Sequence, residues 1–562
     1  MITKKWKIHD RISPEADQNL SQYPPFLRQV LFNRGIQTSE AAKTFLAALP
    51  PENNDPMRMH GMPEAVERLS RAIDRAEAIV IYGDYDADGV TATALLVSCL
   101  KALGAEVRGY IPDRFSEGYG LNTDALQELA NQGAKLVVTV DCGIRSLEEA
   151  QEAKKLGLDL IISDHHSVGP ELPDAFALIN WKLPQDESGA HELSGSGTAY
   201  KIAQALVEYR NAEKWIYQDL IDLAAIGTVA DIVPLLGENR WLVRQGLRTL
   251  RSPHRQGILS LIGIAGLKAN KISSGDLGFM LGPRINAAGR LGSAMTAYNL
   301  LMSRELFEAG QLAQELDNLN RERRTLTEKV AEAAEVLATQ GREDANILMA
   351  FHEDFHAGVA GLAASKISDL YYRPAIVGEK SQQFTKASCR SIEEFHITDA
   401  LQECADLFEN FGGHAAAAGF TVANEKLSEL ETRLNAIADR DLADKDLQPV
   451  LNADLEIPLN ELKPEMFEYL ELIEPSGHHN PQVRFVSRNL ELRSKRKVGS
   501  EGDHLKMMVS DGWITYDAIA FRQGHWADKQ GDRIDLCYRF ELNEFNGRKT
   551  LQLNVVDIRE CD

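Results

Sequence analysis

An apolar run that ends in three alternating carboxylates, Ile79-Val-Ile-Tyr-Gly-Asp84-Tyr-Asp86-Ala-Asp88-Gly89, constrains this chain more than any other stretch. Residues 79–82 read as a buried strand, Gly83 interrupts it, and a helix is expected over 90–103 with Thr91 and Thr93 in its first turn. Three carboxylates within five residues repel one another unless something positive sits among them. One or two hard divalent cations suit such an oxygen-rich set. Asp-x-Asp-x-Asp-Gly also opens an EF-hand loop, but the twelfth position counted from Asp84 is Leu95, not the bidentate Glu that loop needs. An Asp-rich surface turn is the bland alternative.

The same arrangement recurs downstream. Short β-branched runs at 79–82, 107–111, 136–140, 158–162 and 177–179 alternate with helical patterns such as 123–132 and 146–156, which indicates a mostly parallel, doubly wound sheet. Ligands of such sheets gather beyond the carboxyl ends of the strands. There the third run meets Asp141, and the fourth meets Asp164-His165-His166. Adjacent histidines in extended backbone diverge, which would leave one for metal and one for substrate. Asp231, alone in the apolar stretch 220–236, is costly to bury without a partner. Ser194-Gly-Ser-Gly-Thr198 opens another helix, either as a phosphate cradle or as a simple cap. No Gly-x-Gly-x-x-Gly follows the first strand and no Gly-Lys-Ser/Thr occurs, so a dinucleotide fold and a P-loop are disfavoured.

A chain of 562 residues has room for three or four domains. Its net charge of −22 argues against indiscriminate polyanion binding and leaves open a local basic path. Two candidates stand out: Arg240, Arg244, Arg248 and Arg251 along one helix face, and Arg484, Arg488, Arg493, Lys495, Arg496 and Lys497 with only Glu491 as local counterweight. A solvated charged face is the commoner origin of either. Six scattered cysteines without a Cys-x-x-Cys pair point to a reducing cytosol with no disulfide framework, and neither a membrane span nor a signal peptide is evident.

Residues 1–58 read as a polar lead-in, 59–265 as the first α/β domain, 266–342 as a linker with a long helix over 304–339, 343–445 as a second α/β module and 446–562 as a small barrel. The second module has strands near 347–351, 375–377 and 385–388, and includes Ser388-Cys-Arg390 and Gly412-Gly-His414, whose glycines permit close approach to a ligand or simply tight packing. His352-Glu-Asp-Phe-His356 matches the zinc-protease signature, but its neighbours predict a strand-to-helix turn instead. Strand-rich runs from 483 to 558 fit a five-stranded barrel of the OB type, a common binder of single strands.

Tyr82-Gly-Asp-Tyr-Asp-Ala-Asp-Gly89, Val138-Thr-Val-Asp-Cys-Gly143, Asp164-His-His166, Gly227-Thr-Val-Ala-Asp-Ile-Val-Pro234 and Leu281-Gly-Pro-Arg-Ile-Asn-Ala-Ala-Gly-Arg290 resemble the DHH phosphoesterase superfamily, and within it the bacterial single-strand-specific 5′→3′ DNA exonucleases. The resemblance implies a DHH domain, a long connecting helix, a DHHA1-type domain and an OB barrel. It implies two Mn²⁺ or Mg²⁺ ions on Asp84, Asp86, Asp88, Asp141, His165 and Asp231, with Asp141 bridging them and His166 at the scissile phosphate. A 5′-phosphate pocket of Arg114, Arg284, Ser388 and Arg390 follows, with His414 on the DNA backbone. Many smaller relatives carry a His where Tyr82 stands, so Asp84 is expected to substitute. The DNA path would use Arg240, Arg244, Arg248, Arg251, Arg488, Lys495, Arg496 and Lys497. The implied setting is a cytoplasmic monomer acting on single-stranded DNA in repair and recombination, with a single-strand-binding protein and a helicase as partners. A hydrolase of short oligonucleotides or cyclic dinucleotides, and a non-catalytic replication scaffold, are the alternatives.

Overall fold

The computed structural model describes residues 3–561 apart from 115, 119, 190, 191, 342, 343, 546 and 547. The domain boundary expected between 342 and 343 therefore lies outside the described residues. The chain divides into two compact units, one of Trp6–Gly282, Leu301–Arg304 and Asn452–Asp562, the other of Met1–Lys5, Pro283–Leu300 and Glu305–Leu451. Among the described residues no helix is long and apolar enough to cross a membrane.

In the first unit, five parallel strands lie in the order Val107–Tyr110, Ile79–Tyr82, Leu136–Val140, Asp159–Ser163, Ala177–Ile179. Every residue of Ile79–Tyr82 and Leu136–Val140 is buried, which is why these strands read as unbroken apolar runs and not as alternation. In chain order the sheet runs 2-1-3-4-5. Its topological switch point falls between the first and third strands, the place where open sheets of this kind bind ligands.

The same unit holds the barrel. Phe485–Val498, His504–Ser510, Thr515–Ala520, Arg548–Glu560 and Arg533–Phe545 pair in turn, and the first and last pair with each other to close it. Residues 1–58 are more than a lead-in. Helices Pro14–Asn19, Pro25–Asn33 and Ser39–Ala47 bury Leu20, Leu27, Val30, Leu31 and Leu46 against barrel residues such as Phe485, Leu505 and Leu553.

In the second unit the long helix spans Leu306–Thr339. Its buried stripe combines Leu316 and Val330 with five alanines (Ala309, Ala313, Ala331, Ala334, Ala338), whereas Leu306 and Leu337 at its ends are exposed. Its C-terminal half packs with Leu348, Val359 and Ile367 as one layer of the second α/β domain, and so is more than a spacer. That domain's sheet runs Phe408–His414, Ala417–Ala423, Phe384–Arg390, Ala375–Lys380, Leu348–His352, with only the last pair parallel. The first two strands form a hairpin that its glycine and alanine content had concealed. His352 ends a strand and His356 caps the Ala357–Tyr371 helix, so the two do not share a helix face and the zinc-protease reading fails.

Candidate metal centre

The first strand's turn differs from expectation in one respect. The helix starts at Ala87, not residue 90, because Asp86 caps it and its Oδ1 accepts the N–H groups of Asp88 (2.9 Å) and Gly89 (3.1 Å). Gly89 is needed for close approach: a Cβ there would lie 2.5 Å from the Asp84 carbonyl oxygen. Asp88 thus enters the first helical turn. Its carboxylate accepts the N–H groups of Gly195 (2.6 Å) and Ser196 (2.9 Å) at the start of the Gly195–Tyr209 helix, while Ser194 caps that helix through Gly197 (3.1 Å). The Ser194–Thr198 turn therefore cradles a carboxylate, not a phosphate. Only glycine fits at Gly195, where a Cβ would lie 2.5 Å from the Asp141 Cβ.

Asp141 follows the third strand directly and takes φ +66°, a left-handed conformation that Asp tolerates better than most residues. The fourth strand delivers the Asp164-His165-His166 turn. Asp164 Oδ1 accepts the N–H groups of His165 (2.7 Å) and His166 (3.0 Å), and Oδ2 accepts the Ile144 N–H (3.0 Å). The two histidines do not diverge. Wrapped around Asp164, their ring centroids lie 4.6 Å apart. Asp231 caps the C-terminus of the Ile221–Ala230 helix, and His165 Nε2 sits 3.0 Å from Asp141 Oδ1 and 3.5 Å from Asp231 Oδ2.

Three sets of possible ligand atoms lie within 4.8 Å of one another: Asp84, Asp86 and Asp141; Asp88, His165 and Asp231; and Asp141, His165 and His166. All six expected metal ligands and His166 thus converge at the switch point. Tyr82 is turned into the core, where its hydroxyl donates to the Gly120 carbonyl (3.0 Å), and the adjoining carboxylate is Asp84.

Without a cation this nest is frustrated. Asp84 Oδ1, Asp141 Oδ1, His165 Nε2 and Asp231 Oδ2 are buried without a hydrogen-bond partner. Burial, then the charge of Asp86, pushes the Asp84 pKa well up, and burial with Asp88 and Asp86 does the same for Asp141. Burial and Asp88 raise Asp86, and burial with Asp88 and Asp86 lifts Asp231 to about 9. Burial lowers His165 to about 4, which leaves it neutral and able to ligate. Burial alone would lower His166, but its Nδ1 lies 2.7 Å from Asp164 Oδ1, and that bond and charge raise it overall. These groups fit divalent metal: oxygen-rich, mutually repelling and short of donors.

A stability test follows from the signs. The folded metal-free protein holds the protons of Asp84, Asp86, Asp141 and Asp231 more tightly than the unfolded chain does, so stability falls as pH rises from about 4 toward Asp231's 9. Thermal unfolding in chelator is expected to show a lower Tm at pH 8.5 than at pH 5.5. Mn²⁺ at about 100 times its Kd should restore about 2.7 kcal/mol at the higher pH. A metal-free Tm that is flat or rising over this range would contradict the reading.

The other expected site residues fall as follows. Arg114 lies over the Tyr85 ring at 5.0 Å, and its charge reaches Asp84. In the second unit, Arg284 is held by buried Asp317 (2.9 Å). Ser388 and Arg390 share one face of a strand opposite Gly361, where a Cβ would meet Arg390 Nη2 at 3.2 Å, and His414 is exposed at a strand end.

Half of the helical arginine stripe is turned into the protein, while Arg248 and Arg251 are exposed. Arg240 is fully buried and donates to the carbonyls of Phe45, Leu472, Ile473, Glu474 and Pro475, at 2.8–3.3 Å. Arg244 donates to Leu46 and Leu472, Arg251 to Ile272, and Arg248 to Gln245. The C-termini of helices Ser39–Ala47 and Met466–Ile473 point their free carbonyls at Arg240 and Arg244, which satisfies both partners. In the second stripe, acids from neighbouring elements supply the counterweight: Arg488 pairs with Glu456 (2.8 Å) and Asp535 (3.0 Å), and Lys497 with Asp528 (2.7 Å). Lys495 bonds the Lys529 carbonyl, and Arg496 is exposed.

The parallel sheet, the Asp-His-His turn and the carboxylate nest together define a DHH phosphoesterase. Models described as the DHH family N-terminal domain, the DHHA1 domain and the RecJ OB domain match residues 78–228, 344–440 and 453–557. The chain is 40% identical to the single-stranded-DNA-specific exonuclease RecJ of Bacillus subtilis over 98% of its own length and 70% of that protein's. It is 35% identical to RecJ of Salmonella typhimurium, over 98% and 99%. The crystal structure of Thermus thermophilus RecJ in complex with Mn²⁺ superimposes with a TM-score of 0.86 at 29% identity, covering 99% of this chain and 80% of that one. The chain belongs to the RecJ family.

Proposed function

We propose that the protein is a metal-dependent exonuclease specific for single-stranded DNA, which degrades it from the 5′ end to 5′-mononucleotides in DNA repair and recombination. The observation that carries this is the nest of five aspartates and His165 at the sheet's switch point, with buried oxygens left short of donors. RecJ relatives at 32–40% identity over nearly the whole chain are named single-stranded-DNA-specific exonucleases.

Asp84, Asp86, Asp88, Asp141, His165 and Asp231 would hold two Mn²⁺ or Mg²⁺ ions. When bound, such ions lower the pKa of water and neutralise charge on the attacking and leaving oxygens. The chain's own part is orientation. Asp164 fixes the His166 ring and favours its charged form, so that it meets an anionic phosphate oxygen. The helix N-terminus at Gly195 and Ser196 locks the Asp88 carboxylate in place. Of the residues expected at the 5′-terminal phosphate and on the DNA backbone, Arg114 belongs to the first unit, and Arg284, Ser388, Arg390 and His414 belong to the second.

The strand has a route other than the arginine helix. A groove of about 620 Å³ begins beside Asp231 and reaches Arg484 and Arg539 of the barrel, passing Ile232 (68% exposed) and Phe279 (83% exposed). Ile232 holds φ +61°, and Phe279 sits on a π-helical turn; such strain and such turns cluster at functional sites. Apolar prongs between basic grips suit stacked bases and their phosphates.

Incubation with Mn²⁺ and 5′- or 3′-labelled oligonucleotides, single- or double-stranded, tests the reading. Mononucleotides released from the 5′ end of single strands alone are expected. Hydrolysis of dinucleotides only would indicate a small-substrate enzyme, and binding without products a scaffold.

A further inference from the structure

Two cations outside the ligand set act on the carboxylate nest, from different sides. Arg114 acts on Asp84 and is already assigned. The other is Lys182, whose charge is felt by Asp231, Asp164 and His165. Its placement is built in. Asn180, fully buried past the strand Ala177–Ile179, accepts the Lys182 N–H on Oδ1 (2.8 Å) and donates from Nδ2 to the His166 carbonyl (2.9 Å). One side chain thus ties the Lys182 backbone to the Asp-His-His turn. Lys182 Nζ lies 4.8 Å from the centroid of the Trp181 ring. The indole N–H in turn donates to the Leu193 carbonyl (3.0 Å), next to the helix start that holds Asp88. Lys182 makes no ion pair among the described residues, although its electrostatic surroundings are acidic.

We propose that Lys182 grips the backbone phosphate of the retained strand on the 3′ side of the bond being cut. The groove that would carry the strand is lined by Ala230 and Ile232, on either side of Asp231, which lies 3.5 Å from His165 next to the His166 carbonyl that Asn180 ties to Lys182; Arg114 instead lies over Tyr85, between Asp84 and Asp86. A phosphate entering from the groove would thus meet Lys182, while the terminal one lies toward Arg114. An ammonium draped over an indole is a compact point charge suited to a single phosphate. This inference rests on the exonuclease reading above.

The test couples protein and DNA changes. With Mn²⁺ and a 5′-phosphorylated single strand, Lys182→Gln is expected to lower kcat/KM by about tenfold or more, and Lys182→Arg to recover most of it. A methylphosphonate at the linkage 3′ to the first scissile bond should cost the wild type a similar factor and cost Lys182→Gln nothing further. The Mn²⁺-induced rise in Tm should be unchanged in both variants. Wild-type kinetics in Lys182→Gln, equal damage in Lys182→Arg, or coupling to the terminal phosphate instead would overturn the assignment. Absence of 5′ mononucleotides from the wild type would sink the exonuclease reading itself.

Discussion

Asp141→Asn is expected to reduce mononucleotide release by at least about 10³-fold while making the metal-free protein more stable, on the order of 2 kcal/mol at pH 8. The two signs have one cause. Asp141 faces the Asp84–Asp86 pair and, through His165, Asp231, so its charge repels its neighbours when no cation is present and is indispensable when one is. Asn keeps the shape, accepts the left-handed φ of +66°, and its amide can donate toward His165 Nε2, 3.0 Å from Asp141 Oδ1. Folding therefore gains what the reaction loses, a trade-off common at strained sites. Chemical unfolding in chelator and exonuclease assays in Mn²⁺ measure both signs. The steep fall of metal-free stability with pH should also become shallower. Activity within tenfold of wild type, or lower metal-free stability, would contradict the arrangement described.

Arg240→Met is expected to destabilise the protein by about 1–3 kcal/mol without a specific effect on DNA affinity. Methionine keeps an apolar stem over Phe45, whose ring lies 4.0 Å from the guanidinium, but it takes one donor from each of five carbonyls, which keep only Ala48 N–H, Arg244 or Asn480 as partners. Arg248→Ala, on the same face but exposed and bonded only within its own helix, should stay within about 0.5 kcal/mol of wild type. Urea unfolding separates the two. Strand binding measured against salt, at a temperature where both variants are folded, should have the wild-type slope. Intact stability with a weakened, shallower salt dependence in Arg240→Met would return this stripe to the DNA surface.

The contrast between these residues explains what the sequence could and could not reveal. Asp84, Asp86, Asp88 and Asp141 were legible because they follow buried strands directly, and strand ends converge by topology. Asp231 was legible as a charge with no local reason to be buried. The Arg240 stripe misled because its counter-charge is not a side chain at all but the carbonyl ends of two helices distant in sequence. Likewise Arg488 and Lys497 looked uncompensated until the barrel brought Glu456, Asp535 and Asp528 beside them. The glycine-rich start at Ser194–Thr198 left a phosphate cradle and a simple cap equally open; Ser194 does cap the helix, and the anion at its N–H groups is Asp88 of the protein itself. The alanine stripe of the long helix and the Gly/Ala hairpin escaped because small residues leave little periodic trace in hydropathy, whether packed, as Ala334 is, or exposed, as Gly412 and Gly413 are.

The sharing of one core by the N-terminal helices and the C-terminal barrel has a consequence for biosynthesis. Leu20, Leu27 and Leu46 leave the ribosome about 410–530 residues before Ile457, Phe485 and Leu553, their eventual neighbours. At roughly 5–20 residues per second, that apolar patch waits about 20–110 s for its cover. During that interval the nascent chain displays an apolar surface of the kind that promotes aggregation, even though the parallel sheet, whose strands all lie between Ile79 and Ile179, has already been synthesised.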